Sequence, residues 1–438
     1  MPSRTPLRPR RTRLAAALSI GVLAAAGLYV LLNAQAHGDA SALAPEDYPP
    51  PPATYDRAYA KQRAVDLSAL GKQMFLDPSL SASGKQSCAT CHSPAHDYGP
   101  PNDLAVQLGG ADMTHHGRRA VPSLKYLQTV PAFIEHYVPG EDEGDDSTDQ
   151  GPTGGLTWDG RSPTGRDQAR IPLLDPDEMA NTDPAAVVAK VKAAPYADTV
   201  RKLYGGHIFD DPAKAFAAIT EALEDFEHTP AEFFPFTSKF DAFVLGKAKL
   251  TPQETHGMML FSSADKGNCS SCHTFSGPKT LPVFNDFGLI ALGVPRNPDI
   301  PANADPAYYD MGLCGPQRKD LSDHPEYCGL FRSPSLRNVA TRTVFFHNGA
   351  FHSLRQVIEF YVQRDTNPEK WYPKKPDGTI DKFDDLPVRY RENVNMDPPF
   401  GGKPGDKPAL DEAEIDDLIA FLQTLTDGYK PEDDTAGR

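Results

Sequence analysis

Two short stretches decide how this chain is read: Cys88-Ala-Thr-Cys91-His92 and Cys269-Ser-Ser-Cys272-His273. Both have the form Cys-x-x-Cys-His. Two thiols three positions apart share one turn, where they can add to the two vinyl groups of a haem, and the imidazole that follows then lies beneath the iron. A thioredoxin-like redox pair or half of a zinc site would need a fold context or a second cysteine pair nearby, and neither accompanies these motifs. The spacing therefore predicts two covalently bound haem c groups. Cys88, Cys91, Cys269 and Cys272 are the attachment points, and His92 and His273 are the iron ligands.

Working outward, residues 58–76 have helical spacing (Ala64, Leu67, Leu70, Met74, Phe75) and lead into the first motif. Residues 185–192, 212–226 and 240–245 read as amphipathic helices. Thr251-Pro-Gln-Glu254 opens a helix through Phe261 with a capping box and proline at its first position, and this helix delivers the second motif. Residues 354–362 and 410–425 are helical, the latter capped by Asp411 with acidic residues in its first turn. No segment shows sustained strand alternation. Helix, short loop, haem motif, long irregular loop and closing helices occur in that order twice, which predicts an internally duplicated, mainly α haem domain. Cys314 and Cys328, 14 apart in a Gly/Pro-rich loop, are expected to close that loop as a disulfide.

The chain has 438 residues with 43 Pro and 34 Gly, ordinary globular composition with long connections. Its formal charge of −15 excludes a nucleic-acid binder, which needs a basic surface. Residues 1–36 hold five arginines (Arg4, Arg8, Arg10, Arg11, Arg13), an uncharged stretch from Leu14 to Leu32 and the small-x-small triplet Ala34-Gln35-Ala36. They read as a signal peptide or, since the stretch is long, an uncleaved N-terminal anchor. Both place the remainder in the periplasm, with membrane contact only through this segment if it is uncleaved. Without those arginines, 39 basic residues face 59 acidic ones, a charge of −20. Residues 37–57, centred on Pro49 to Pro52, form a proline-rich linker. The acidic run Glu141 to Asp149 reads as a solvated loop whose spacing does not match an EF-hand.

Further strings point to a family. They are Leu70-Gly-Lys-Gln-Met-Phe75 with Leu80-Ser81, Trp158-Asp-Gly-Arg161, Gln168-Ala169, Glu178-Met179, Lys266-Gly-Asn268, Phe331-Arg-Ser-Pro-Ser-Leu-Arg-Asn338 and Phe346-His-Asn-Gly349. In order and spacing the chain resembles the bacterial diheme cytochrome c peroxidase and MauG family from Leu70 to Tyr429. The resemblance implies two cytochrome c-like domains, one haem c in each: an N-terminal domain (58–245) with the peroxidatic haem and a C-terminal domain (246–438) with the electron-transfer haem.

Cleavage of H₂O₂ on a haem requires an open iron position, a base that moves a proton from the near oxygen to the leaving one, and a polar group that orients the peroxide. Glu178 and Gln168 match the family's catalytic carboxylate and amide, and Pro172 its distal-pocket proline. Trp158, which as a lone aromatic would be read as core, matches the tryptophan between the haems, where an oxidisable ring can relay an electron. His347 is expected to be structural. Three positions depart from the pattern. His115 and His116 lie where a capping histidine is sought, with His116 the candidate ligand, but one step nearer the arginine-proline motif than the pattern requires; an open or water-bound iron is expected. The resemblance leaves calcium open, because its Asn and Thr ligand positions hold Ala120 and Arg342. The distal ligand of the second haem, 14 residues beyond His347, is Tyr361, with Met396 as the alternative.

The function expected is that of an exported diheme c-type peroxidase reducing hydrogen peroxide. Electrons would come through the C-terminal haem from a small soluble donor such as a cytochrome c or a cupredoxin. The alternative is a MauG-like enzyme that stores two oxidising equivalents and oxidises side chains of a partner protein. Gln168 and Glu178 count against a third reading, a non-catalytic diheme electron carrier.

Overall fold

A computed structural model describes residues 56–138, 149–275 and 281–431. The expected leader, all but the last two residues of the linker, and the acidic run up to residue 148 lie outside them. The fold is mainly helical, with long irregular connections. Among the described residues, nine α-helices have six or more residues: α1 (Arg57–Phe75), α2 (Gly165–Leu174), α3 (Pro184–Ala193), α4 (Ala197–Tyr204), α5 (Pro212–Glu227), α6 (Lys239–Val244), α7 (Pro252–Ser262), α8 (Leu354–Gln363) and α9 (Glu412–Gln423). Among the described residues, strands are confined to two antiparallel ladders, β1 (Leu108–Gly109) with β2 (His115–His116) and β3 (Leu289–Ile290) with β4 (Phe331–Arg332).

The same helix crossing is built twice. In α1 the buried positions Leu67, Leu70, Gly71, Met74 and Phe75 follow the helical repeat and face α5. The axes approach at Gly71, where a Cβ would stand 1.8 Å from the Ala222 carbonyl oxygen and 2.9 Å from Phe226 Cβ. In the second crossing α7 meets α9 at Gly257, where a Cβ would stand 2.0 Å from the Asp417 carbonyl oxygen and 2.9 Å from Phe421 Cβ. Four residues beyond each glycine a phenylalanine packs edge to face on its partner, Phe75 on Phe226 and Phe261 on Phe421, both at 5.3 Å between ring centroids. The haem motif that follows each crossing helix is thereby launched from a rigid base.

Capping follows the sequence. Thr251 accepts from the Glu254 N–H and Asp411 from the Ala413 and Glu414 N–H groups, each in a capping box. Cys314 and Cys328 are joined as a disulfide. Two helices escape the sequence reading. In α2, Gly165 and Pro172 suppress the helical signal, yet Thr164 caps it through the Asp167 N–H. α4 is only eight residues long and its N-cap, Tyr196, offers no side-chain bond.

Overpacking a well-filled contact costs typically about 1–3 kcal/mol, and at both crossings the obstacle is backbone, which cannot rotate away. Gly71→Ala and Gly257→Ala should therefore each destabilise by about 3 kcal/mol or more in urea unfolding followed by far-UV circular dichroism. Gly206→Ala, where a Cβ meets no atom within 4 Å, should change stability by no more than about 0.5 kcal/mol.

Candidate active site

The first motif forms a single helical turn, Cys88–Cys91, closed by the Ser87 N–H donating to Thr90 Oγ1 at 2.9 Å. His92 Nδ1 lies 3.2 Å from the Tyr98 carbonyl oxygen, and the Pro122 carbonyl also faces the ring. With Nδ1 donating, Nε2 is left as the lone-pair nitrogen. Burial lowers the imidazole pKa to about 4, so the ring is neutral, as a metal ligand must be.

A cavity beside this turn is lined by Cys88, Cys91, His92, Gln168, Pro172 and Glu178. Gln168 and Pro172 stand four apart on α2, hence on one face, and the proline cannot donate the usual helical bond to the Gln168 carbonyl. Glu178 follows on a turn in which its N–H donates to the Asp175 carbonyl at 3.0 Å. The β1–β2 hairpin clamps that turn: the Gly110 N–H donates to the Glu178 carbonyl at 2.7 Å, and a Cβ on Gly109 would stand 2.2 Å from the Asp177 carbonyl oxygen. Burial raises the Glu178 pKa to about 7; the Asp175 charge adds to this and Arg161 opposes it. A carboxyl so poised exchanges its proton near neutral pH.

His116 is not brought to this cavity. It sits exposed on β2, while its neighbour His115 bonds Asp177 at 3.2 Å outside the pocket wall. Glu227, the last residue of α5, does line the cavity, and burial raises its pKa to about 8. The sequence reading missed it. Its one signal is a carboxylate at i+4 from Leu223 on the apolar stripe of α5.

The second motif forms a 3₁₀ turn, Cys269–Ser271. Its histidine repeats the first arrangement: His273 Nδ1 lies 3.2 Å from the Phe284 carbonyl oxygen, the Pro334 carbonyl faces the ring, and burial lowers the pKa to about 4. Cys269, Cys272, His273 and Tyr361 line a second, larger cavity. Tyr361, on α8, stacks between Phe346 and Phe400 with centroids 6.1 and 5.3 Å away. Met396 does not reach this cavity. It is 46 % exposed, and its Sδ lies 3.2 Å from Arg364 Nη2, a guanidinium that is itself packed 3.8 Å over the Phe400 ring.

Trp158 joins the two motifs. Its indole N–H donates to the Ala120 carbonyl at 2.8 Å, and its carbonyl accepts from the Arg332 N–H at 2.8 Å. Ala120 is two residues before the Pro122 carbonyl that faces His92, and Arg332 two before the Pro334 carbonyl that faces His273. The loop is held from below by Asp159, which is fully buried and bonded to Arg119 at 2.7 Å, Arg161 at 2.8 Å and the Thr157 hydroxyl at 2.6 Å. Burial opposes the charge of Asp159, but the two guanidinium ions bring its pKa down to about 2. Thr157 has φ 73°, a left-handed conformation that β-branched residues avoid, and persists because its hydroxyl and carbonyl are both bonded. At the positions left open for calcium, Ala120 offers no side-chain oxygen and Arg342 donates to the Val121 and Val344 carbonyls.

Residues 66–249 match the di-haem cytochrome c peroxidase family. Methylamine utilization protein MauG of Paracoccus denitrificans (strain Pd 1222) is 36% identical over 378 residues, which cover 83% of this chain and 90% of that protein. The chain belongs to the di-haem cytochrome c peroxidase and MauG family. The crystal structure of the diheme peroxidase BthA from Burkholderia thailandensis E264 is 40% identical and superposes with a TM-score of 0.73 over 83% of this chain and 86% of that one. Cytochrome c551 peroxidase of Nitrosomonas europaea is 25% identical over 308 residues, covering 67% of this chain and 72% of its own.

This diheme family member is an oxidoreductase that carries two covalently bound haem c groups, and its residues fit them. Four unpaired thiols, Cys88, Cys91, Cys269 and Cys272, stand at the walls of the two cavities, each beside a neutral imidazole whose Nδ1 is already engaged. Tyr361 lines the second cavity and Met396 does not. Tyr361→Phe should alter the absorption spectrum of the oxidised protein and Met396→Leu should leave it unchanged. The opposite pattern would return the role to Met396.

Proposed function

We propose that the protein is an exported diheme peroxidase that reduces H₂O₂ to two waters, taking two electrons and two protons per turnover. The observation that carries this reading is the convergence of Glu178, Gln168 and Pro172 on the cavity that holds Cys88, Cys91 and His92. Haem bound there would supply the iron chemistry that cleaves the peroxide O–O bond. His92, with Nδ1 engaged, would hold the iron through Nε2. The Glu178 carboxylate takes the proton from the near peroxide oxygen and returns it to the far one, so that water leaves. Gln168 orients the peroxide through its amide, and Pro172 presents an apolar wall that donates no competing hydrogen bond. Glu227, a second buried carboxyl in the same cavity, stores a further proton.

In this reading Cys269, Cys272, His273 and Tyr361 would hold the second haem, which would supply the entry point for electrons. The domains run over 58–245 and 246–438. An anionic oxygen ligand stabilises the ferric state and lowers the potential, where a thioether would raise it. Trp158 carries an electron between the two sites. The donor is a small redox protein, a cytochrome c or cupredoxin, steered by the −20 charge of the chain without residues 1–36. Those residues serve as the export signal or anchor. No helix among the described residues is long and apolar enough to cross a membrane.

A second reading, withdrawal of electrons from side chains of a partner protein, is favoured by Tyr361 in the second cavity and by the identity with MauG. Steady-state consumption of reduced cytochrome c or cupredoxin by H₂O₂ separates the two: rapid turnover supports the peroxidase, and its absence the partner oxidase.

Glu178 acts as its base form, so the second-order rate with peroxide should fall as pH drops below about 7, the value to which its pKa is raised. Glu178→Gln should keep both haems, lower the rate by roughly 10²-fold or more and remove that pH limb. A variant that retains the wild-type rate and profile in stopped-flow mixing would take Glu178 out of the mechanism.

A further inference from the structure

Among the described residues, buried guanidinium ions have carboxylate partners except at Arg332, and the partly buried Arg342 has none either. Arg119 is paired with Asp159 and Asp310, Arg318 with Asp320, Arg337 with Asp241 and Arg364 with Asp365, all with arginine side chains no more than 7% exposed. Arg332 is buried to the same degree, yet its Nε donates only to the Thr157 carbonyl, at 3.2 Å, and its Nη1 has no partner at all. Arg342 donates to the carbonyls of Val121 and Val344 and to no carboxylate. Burial lowers the pKa of both to about 10, with no opposing anion to hold either up. An uncompensated charge of this kind is strongly destabilising, and a fold retains it where an anion arrives from outside.

Both side chains line the cavity that contains Cys269, Cys272 and His273, and they flank Trp158. The Arg332 N–H bonds the Trp158 carbonyl. Arg342 bonds the Val121 carbonyl, next to the Ala120 carbonyl that receives the indole N–H. The same wall holds the buried Nε2 of His347, stacked 3.5 Å from Phe331 and without a hydrogen-bond partner. Haem c brings two carboxylates of its own, its propionates.

We propose that Arg332 and Arg342 are positioning residues that bind the propionate carboxylates of the haem attached at Cys269 and Cys272, with His347 Nε2 as a further polar contact, and so fix that haem against Trp158. The proposal rests on the reading that this haem fills the larger cavity. Two consequences follow from charge alone. Each guanidinium favours the state with one more electron, so it raises the reduction potential of that haem and offsets part of the lowering by a phenolate ligand. Each also neutralises a carboxylate that would otherwise repel electrons entering the cavity.

The test is spectroelectrochemical titration of the holoprotein and of Arg332→Gln, Arg342→Gln, Arg332→Lys and Arg342→Lys, with the haem-bearing peptides identified by mass spectrometry. Each glutamine variant should shift the ferric-to-ferrous ratio of the Cys269–Cys272 haem about tenfold toward ferric at a fixed electrode potential, about 59 mV for a one-electron couple. The lysine variants, which keep the charge, should restore most of it. Resonance Raman of the lysine variants supplies an independent readout should the glutamine variants not fold: the propionate bending mode should shift, because the planar fork has become a point charge. Attached haem with unchanged potentials in the glutamine variants, or an unchanged bending mode in the lysine variants, overturns the proposal and leaves the two charges to a small anion or to the fold. Absence of haem from the Cys269 peptide would instead overturn the reading beneath it.

Discussion

The two hydrogen bonds that fix Trp158, from its indole to the Ala120 carbonyl and from the Arg332 N–H to its own carbonyl, join the segments that face the two haem-motif histidines. Each runs to a segment that two residues later presents a proline carbonyl to a haem-motif histidine. An indole tied at both ends cannot drift relative to either imidazole, and electron transfer between two sites is set by such distances. The joint rests on a buried anion. Asp159 holds Arg119 and Arg161, and Arg119 reaches on to Asp310, so that removing the Asp159 carboxylate would leave Arg161 without its anion and Arg119 with Asp310 alone. Polar cores of this kind gain less from burial than an apolar core would. Here the arrangement gives a single orientation of the ring.

Around that joint the chain uses one solution twice. A glycine lets two helices touch backbone to backbone, a phenylalanine one turn on locks the crossing, and the next loop delivers Cys-x-x-Cys-His with its imidazole Nδ1 committed to a carbonyl. The two copies then diverge in what faces the imidazole. On the first side α2 and the turn clamped by Gly109 and Gly110 present an amide, a proline and a carboxyl of raised pKa, a wall suited to moving protons. On the second side α8 presents a phenol among aromatic rings, a wall suited to holding a metal closed against substrate. In the proposed reading, the division of labour between peroxide chemistry and electron supply comes from loops and one helix face.

What was legible in the sequence follows the range of each signal. The haem motifs are local covalent chemistry, complete within five residues. The crossing helices around Gly71, Gly257 and Phe226 carry sustained periodicity and were read to within a few residues. Glu178 and Gln168 were reached only through resemblance, because helix α2 is disguised by Gly165 and Pro172 and the carboxyl arrives on a turn. Spacing alone could not choose between Tyr361 and Met396 or dismiss His116. Where these side chains sit depends on tertiary contacts: the Arg364 guanidinium engages the Met396 sulfur, and the Asp177 turn packs beside β2. Arg332 gave no signal of its own, Arg342 showed only as a departure at a calcium position and Glu227 only as a carboxylate on an apolar stripe, since a charged residue announces itself only when its burial and its missing partner are seen together.

In the proposed mechanism, oxidation generated beside His92 reaches the site of His273 through Trp158. Stopped-flow absorbance of Trp158→Phe mixed with H₂O₂ tests it most directly, because the two haems can be followed separately and phenylalanine keeps the packing while raising the barrier to oxidation. Peroxide should react at the His92 site at the wild-type rate, and oxidation of the His273 haem should be slowed at least tenfold. Oxidation of the second haem at the wild-type rate in that variant would contradict the account and reduce the indole to packing.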